Sequence, residues 1–182
     1  MRIIAGKFRG RRLECPKLVT RPTLDRVREA LFSILGDLSD ASVVDFYAGS
    51  GALGLEALSR GARHVTVVES DRQAAQVIRK NVAAWDVGKA FRVVECAVER
   101  SRSALAAIAP IDLVLADPPW KISLEAAVIV PEVVKGLLAP SATVVIGHAS
   151  RDELVLAEGS GLKLEDRRSW GDSALSFLVR SE

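Results

Sequence analysis

Apolar positions recur along this chain in two rhythms. Short runs rich in β-branched residues alternate with longer stretches whose apolar residues fall three or four apart. The runs Val43–Tyr47, His64–Glu69, Phe91–Glu95, Asp112–Ala116 and Ala142–Gly147 predict strands. Between them, Ala52–Arg60, Arg72–Trp85, Ser101–Ile108 and Ser123–Leu138 carry the helical period. An earlier helix is expected from Leu24 to about Leu35, with Val27, Ala30, Leu31, Ile34 and Leu35 on one face and Thr23 as its cap. Strand and helix alternating at this spacing imply a mostly parallel sheet covered on both faces. The pattern then changes. Leu162–Trp170 and Ala174–Arg180 flank the turn pair Gly171-Asp172 and predict an antiparallel hairpin. The expected fold is therefore α/β, with a seven-stranded sheet closed by that hairpin. Residues 1–20, with turn points at Gly6 and Gly10, read as a short hairpin arm ahead of a domain spanning 21–182.

The glycines between the first strand and its helix narrow the chemistry. In DFYAGSGALG, Gly49, Gly51 and Gly54 spell the loop that serves nucleotide-like ligands: glycine allows the turn and lets a ligand approach helix N–H groups. Glu69, at the end of the second strand, stands 20 residues after Gly49, where a carboxylate can reach ribose hydroxyls. These features leave three readings open: a dinucleotide site, a site for S-adenosylmethionine, or a tight turn with no ligand. Asp45 favours the second. A carboxylate in the loop opposes a pyrophosphate and suits a cationic amino group and sulfonium. The structural alternative for Asp45 is a cap or turn acid.

Asp117-Pro118-Pro119-Trp120 follows the fourth strand, and the switch point of such a sheet should set it opposite the glycine loop. Prolines present rigid carbonyls without N–H groups of their own. Asp117 adds a carboxylate and Trp120 a stacking face. That set suits the exocyclic amino group of a nucleobase taken out of its stack. A rigid turn after a strand is the bland alternative.

Charge is distributed unevenly. The formal net charge is +2, yet the first 30 residues hold nine Lys or Arg against three acids. A basic segment ahead of a slightly acidic body suggests an arm for a polyanion, unless it is simply a solvated surface. Cys15 and Cys96 make neither a metal spacing nor a disulfide framework, so a reducing, cytoplasmic setting is expected with no metal. His64 and His148, at expected strand ends, read as core or surface residues. No apolar run approaches a membrane span, and the first residues are too polar for a secretory signal.

RIIAGKFRGRRL, RPTLDRVREALFSIL, DFYAGSGALGLEALSRGA and DPPW, in this order, resemble the RsmD-type methyltransferases of small-subunit ribosomal RNA, from Arg2 through Trp120. The resemblance implies a Rossmann-like class I fold, S-adenosyl-L-methionine as donor, and the N2 of one guanosine in 16S rRNA as acceptor. It also implies an assembled or partly assembled small subunit, with its proteins, as partner; separately, a monomer is expected. By position, Asp45, Tyr47, Ala48, Gly49 and Gly51 would line the methionine part. Glu69 would take the ribose, Cys96 and Ala97 the adenine, and Thr23, with Arg21, the cofactor carboxylate. Asp117, Pro118, Pro119 and Trp120 would hold the guanine. Lys7, Arg9, Arg11, Arg12 and Arg21 would grip RNA. Tyr47 stands where the family commonly has Phe, and Trp120 where it has Tyr or Phe. Competing readings are an amino-methyltransferase acting on adenine N6 or cytosine N4 of DNA, a non-catalytic RNA-binding assembly factor, and an NAD-dependent oxidoreductase.

Overall fold

The computed structural model describes residues 1–16 and 25–181. Its strands are β1 (Ser42–Phe46), β2 (His64–Glu69), β3 (Phe91–Glu95), β4 (Ile111–Ala116), β5 (Leu138–Ala149), β6 (Leu162–Trp170) and β7 (Ser173–Arg180). They form one sheet in the order β3-β2-β1-β4-β5-β7-β6. Pairing is parallel from β3 through β5 and antiparallel where β7 joins β5 and β6. The helices are α1 (Asp25–Leu35), α2 (Ala52–Ser59), α3 (Arg72–Ala84), α4 (Arg102–Ala106) and α5 (Ser123–Val134). Among the described residues, no helix is long and apolar enough to cross a membrane.

Strand alternation sorts the core into two layers. Val43, Val65, Val67, Leu113, Leu115 and Val145 pack with Leu31 and Phe32 of α1, with α2, and with Ile78 of α3. Val44, Phe46, Val68, Val114, Val144 and Ile146 pack with Leu105 of α4 and with Ala126, Val130 and Val134 of α5. Every central strand contributes to both layers, which is why these strands read as unbroken apolar runs.

Three expectations change at their edges. The helix expected over 101–108 is present but short, α4 at Arg102–Ala106, and a 3₁₀ turn, Val98–Arg100, precedes it. The helix expected to reach Leu138 ends at Val134. Gly136 there takes a left-handed φ of 73°, and β5 already begins at Leu138, four residues earlier than its apolar run suggested. The N-terminal hairpin is reduced to one antiparallel bridge, Arg2 with Arg12, extended by hydrogen bonds from Ile3 N to Arg11 O (3.0 Å) and Leu13 N to Met1 O (3.0 Å).

What holds this arm is α2 more than its own ladder. All eight α2 residues are buried, including Glu56. The Glu56 carboxylate accepts from Ile4 N (2.8 Å), Ala5 N (3.0 Å) and Arg60 Nε (2.8 Å). Ser59 Oγ accepts from Phe8 N (2.9 Å), and its carbonyl accepts from Lys7 N (2.7 Å). The buried Arg28 of α1 donates to Arg2 O and to Asp25. Ile3, Phe8 and Leu13 complete the packing inside the first core layer. An arm so short cannot satisfy its own backbone groups, and a buried carboxylate meets that need.

Candidate functional site

The glycine loop lies between β1 and α2, at the carboxyl edge of the sheet. There the chain order reverses: β1 pairs with β2 on one side and with β4 on the other. Phe46 and Ala116 are register partners, so the segments leaving β1 and β4 emerge side by side. The glycine loop and Asp117–Trp120 therefore share one crevice, as expected from the switch point of such a sheet.

The loop is tight. Tyr47, Gly49 and Gly51 have φ of 56°, 55° and 74°, and Gly51 N donates to Ala48 O (2.7 Å). Gly51 caps α2 without a side chain, which leaves the helix start to its backbone N–H groups. Gly54 serves packing instead. A Cβ there would stand 2.8 Å from Val67 Cγ1, so its absence lets α2 lie close on β2.

Asp45 and Glu69 fall in the alternation of Val43 and of Val65 and Val67, and so face the α1–α2 side. Asp45 is almost wholly buried. Its Oδ2 accepts from Gly54 N (2.9 Å), across the glycine loop. The turn-acid role weighed for Asp45 is thus present. Burial pushes its pKa up to about 8; the Gly54 hydrogen bond opposes that rise, and the charges of Asp117 and Glu69 add to it. Glu69 accepts from Gly49 N (2.7 Å) with Oε2 and from Asp71 N (2.8 Å) with Oε1, and so ties the loop to the start of α3. Asp71 caps that helix by accepting from Ala74 N (2.7 Å).

On the other side, Asp117 lines a small hollow with Leu31, Leu53, Leu115, Val145 and Leu175. Pro118 is buried and Pro119 exposed, while Trp120 is half-buried and opens the 3₁₀ turn Trp120–Ile122. The Trp120 carbonyl accepts from Ser123 Oγ (3.0 Å), which fixes the exit from the turn. Tyr47 is half-buried with its hydroxyl pKa pushed up to about 12, by burial first and then by Glu99 and Glu125. Cys96 and Ala97 follow β3, next to Glu69 across the Glu69–Glu95 register. Burial raises the Cys96 thiol. Arg21 and Thr23 lie outside the described residues. Lys7, Arg9, Arg11 and Arg12 are all exposed. Lys7 and Arg9 sit beside the last turn of α2, at the end away from the glycine loop. Arg11 lies over the rings of Phe8 (5.2 Å) and Trp85 (5.5 Å). His148 is a buried core residue, as sequence allowed: Nε2 is 2.9 Å from Ser176 Oγ, and burial lowers its pKa.

Sequence reasoning missed Glu56 and Arg28 as anchors of the arm, and Gly147 beside Asp117. A lone acid in the apolar helix ALGLEALS was a visible signal for the first. A glycine inside a strand run was one for the last.

A buried acid at Asp45 makes a testable pH dependence. Its folded pKa lies above its unfolded value of 3.8. Between pH 4 and pH 8 the folded state therefore keeps a proton that the unfolded state has lost. Stability from this group is fully present below pH 4 and declines by up to about 1.4 kcal/mol per pH unit as pH rises through the window. Asp45→Asn should remove that slope. The check is the thermal midpoint of both proteins without ligand from pH 5 to pH 8; the difference between the curves isolates Asp45 from the two histidines. Parallel curves would mean Asp45 is ionised throughout.

A mostly parallel seven-stranded sheet, an antiparallel strand inserted between β5 and β6, and a glycine loop at the β1/β4 switch point define a Rossmann-like methyltransferase fold. Known proteins agree. Residues 1–179 match the model of the family described as Conserved hypothetical protein 95, and the chain belongs to that family. It is similar to the Ribosomal RNA small subunit methyltransferase D of Escherichia coli (strain K12): 47% identical over 124 residues, which cover 66% of this chain and 61% of that protein. Among solved structures, an Escherichia coli protein described as a candidate methyltransferase is 36% identical with a TM-score of 0.79, over 99% of this chain and 97% of that one. A hypothetical protein of Thermus thermophilus is 32% identical with a TM-score of 0.82, over 100% and 99%.

Proposed function

We propose that this protein transfers a methyl group from S-adenosyl-L-methionine to the exocyclic N2 of one guanosine in 16S ribosomal RNA, with the assembled or partly assembled small subunit as substrate. The observation that supports the cofactor is the gathering of three acidic side chains at the glycine loop: Asp45 bound to Gly54 N, Glu69 bound to Gly49 N, and Asp117 on the segment leaving β4 beside β1. A pyrophosphate would add negative charge beside these acids, whereas a ligand bearing an ammonium and a sulfonium would favour loss of the Asp45 proton and be held by the carboxylate so formed. That tells against a dinucleotide even though the glycines have its spacing. Asp45, Tyr47, Ala48, Gly49 and Gly51 would hold the methionine part, Glu69 the ribose, and Cys96 and Ala97 the adenine. The cofactor supplies an electrophilic methyl group.

The chain's own work is on the acceptor. The lone pair of a guanine amino group is delocalised into the ring. Asp117 and the Pro118 carbonyl can accept its two hydrogens, which favours the pyramidal nitrogen and aims its lone pair. Trp120 would stack on the flipped base. The methyl carbon would exchange its bond to the sulfonium sulfur for one to the amino nitrogen, one amino proton would then have to leave, and Asp117 would receive it. The relatives' names support ribosomal RNA as the substrate.

The exposed cations of the arm would grip phosphates away from the target base, since Lys7 and Arg9 stand at the far end of α2. Neutralising Arg9, Arg11 and Arg12 together should weaken RNA binding and reduce the slope of log K against log salt by about 2, at roughly 0.7 per single-strand contact. Filter binding across a salt series measures it; an unchanged slope takes the arm out of the interface.

The direct test is transfer from tritiated S-adenosylmethionine to small subunits of a strain lacking this activity, with the labelled nucleoside identified after digestion. Label in N2-methylguanosine supports the proposal. Label in another base keeps the chemistry and removes the acceptor. Cofactor binding without label points to a binding-only protein.

A further inference from the structure

Gly147 occupies an unfavourable place for glycine. It lies inside β5, paired with Leu175 of β7 and next to Ile146, the partner of Ala116 in β4. It is buried, and its backbone is not among the left-handed ones. A buried strand position normally favours a β-branched residue, as in the preceding Val144, Val145 and Ile146, and Gly147 is the first residue of β5 past its pairing with β4. No backbone requirement explains the glycine. Its surroundings do. A Cβ at 147 would stand 2.5 Å from Asp117 Oδ1 and 3.4 Å from Asp117 Cγ; the next neighbour, Ala116 O, is an unstrained 3.6 Å away. The missing side chain thus makes room first of all for the Asp117 carboxylate, which lies against the bare backbone of β5.

We propose that Gly147 is a positioning residue for methyl transfer: it provides the space that holds the Asp117 carboxylate in its working orientation, and any side chain at 147 turns that carboxylate away. The inference rests on the role given above to Asp117 at the target amino group. The strand itself tolerates a Cβ here, because the obstructing atom is the end of a side chain that can rotate. A substitution therefore costs orientation and not folding. Orientation is what a carboxylate accepting from a small amino group depends on, since misplacement by about 1 Å can cost on the order of 100-fold in rate.

The experiment is Gly147→Ala and Gly147→Val, assayed with saturating tritiated S-adenosylmethionine and small subunits beside the unaltered protein. The expected result is a loss of kcat of about 10-fold or more for Gly147→Ala and a larger loss for Gly147→Val. For Gly147→Ala, cofactor Kd, by calorimetry, and the thermal midpoint should stay close to those of the unaltered protein. Wild-type kcat in Gly147→Ala overturns the inference. So does a loss of kcat that comes with an equal loss of thermal stability or cofactor affinity, because the glycine would then be structural. If the unaltered protein labels no RNA, the reading of Asp117 fails instead. The positioning claim is then judged by a crystal structure of Gly147→Ala: a carboxylate of Asp117 unmoved from its place against β5 overturns it.

Discussion

Asp117→Ala is expected to lower methyl transfer by a factor of about 1,000, with cofactor affinity changed by less than about threefold and RNA affinity largely intact. The size follows from what the carboxylate would do. It would accept from an amino group whose lone pair becomes available only as the nitrogen becomes pyramidal, so the interaction would strengthen toward the transition state. Removing one preorganised partner of that kind costs about 100- to 1,000-fold, and the loss of the proton acceptor adds to it. The ground-state contacts proposed for the cofactor and for the RNA phosphates lie elsewhere, on the glycine loop and on exposed cations. Single-turnover transfer at saturating cofactor and subunit isolates the chemical step. A variant that transfers at the normal rate would remove Asp117 from the reaction. Equal losses in transfer and RNA binding would make it a binding residue. The change should also lower the pKa of Asp45, because the Asp117 charge is one of the causes that raise it. The pH dependence of stability described for Asp45 should then shift toward acid in this variant.

Replacing Glu56 by leucine should produce the largest loss of stability. Leucine fills a similar space on α2 but accepts no hydrogen bond. Ile4 N and Ala5 N would lose their acceptor, Arg60 its ion pair at 2.8 Å, and the buried Arg28 a nearby opposite charge. Taking one partner from a buried, hydrogen-bonded charge set costs about 3–5 kcal/mol, and a chain of this length loses about 2–4 °C per kcal/mol. A fall of about 10 °C in the thermal midpoint is expected. Proteolysis should then cut within residues 1–16 first, because the arm's own ladder is a single bridge. Glu56→Gln keeps an acceptor oxygen and should fall between the two. A midpoint unchanged in Glu56→Leu would mean that Ile3, Phe8 and Leu13 hold the arm by packing alone.

The two substitutions separate what the arm and the crevice contribute. If the arm serves RNA, Glu56→Leu should weaken RNA binding without touching the crevice. Asp117→Ala should do the reverse.

Much of this was legible from sequence for definite reasons. Apolar periodicity located all seven strands and the helices between them, because burial on both faces makes the central strands nearly continuous apolar runs. Gly171-Asp172 announced the hairpin, and the spacing of Gly49, Gly51, Gly54 and Glu69 announced the loop. Edges were less legible. The last helix ended four residues before its apolar pattern did, since Leu137 and Leu138 suit a strand as well as a helix. The true extent of β5 is set by its pairing with β4 and β7.

By itself, then, the sequence determined the class of sheet, the order of its elements, and the crevice in which Asp45, Glu69 and Asp117 meet. Each follows from local periodicity and from the rule that parallel strands place their carboxyl ends together. Only the tertiary structure decided where the carboxylates point and what they already hold: Asp45 bound to Gly54 N, Glu69 shared between Gly49 and Asp71, Asp117 lying against Gly147. It alone turned the basic arm into a piece of the core, through a buried Glu56 that lies 52 residues from the backbone group it satisfies. Those contacts join residues far apart in the chain. No local pattern encodes them, because a side chain's partner is set by packing across the sheet and not by its neighbours in sequence.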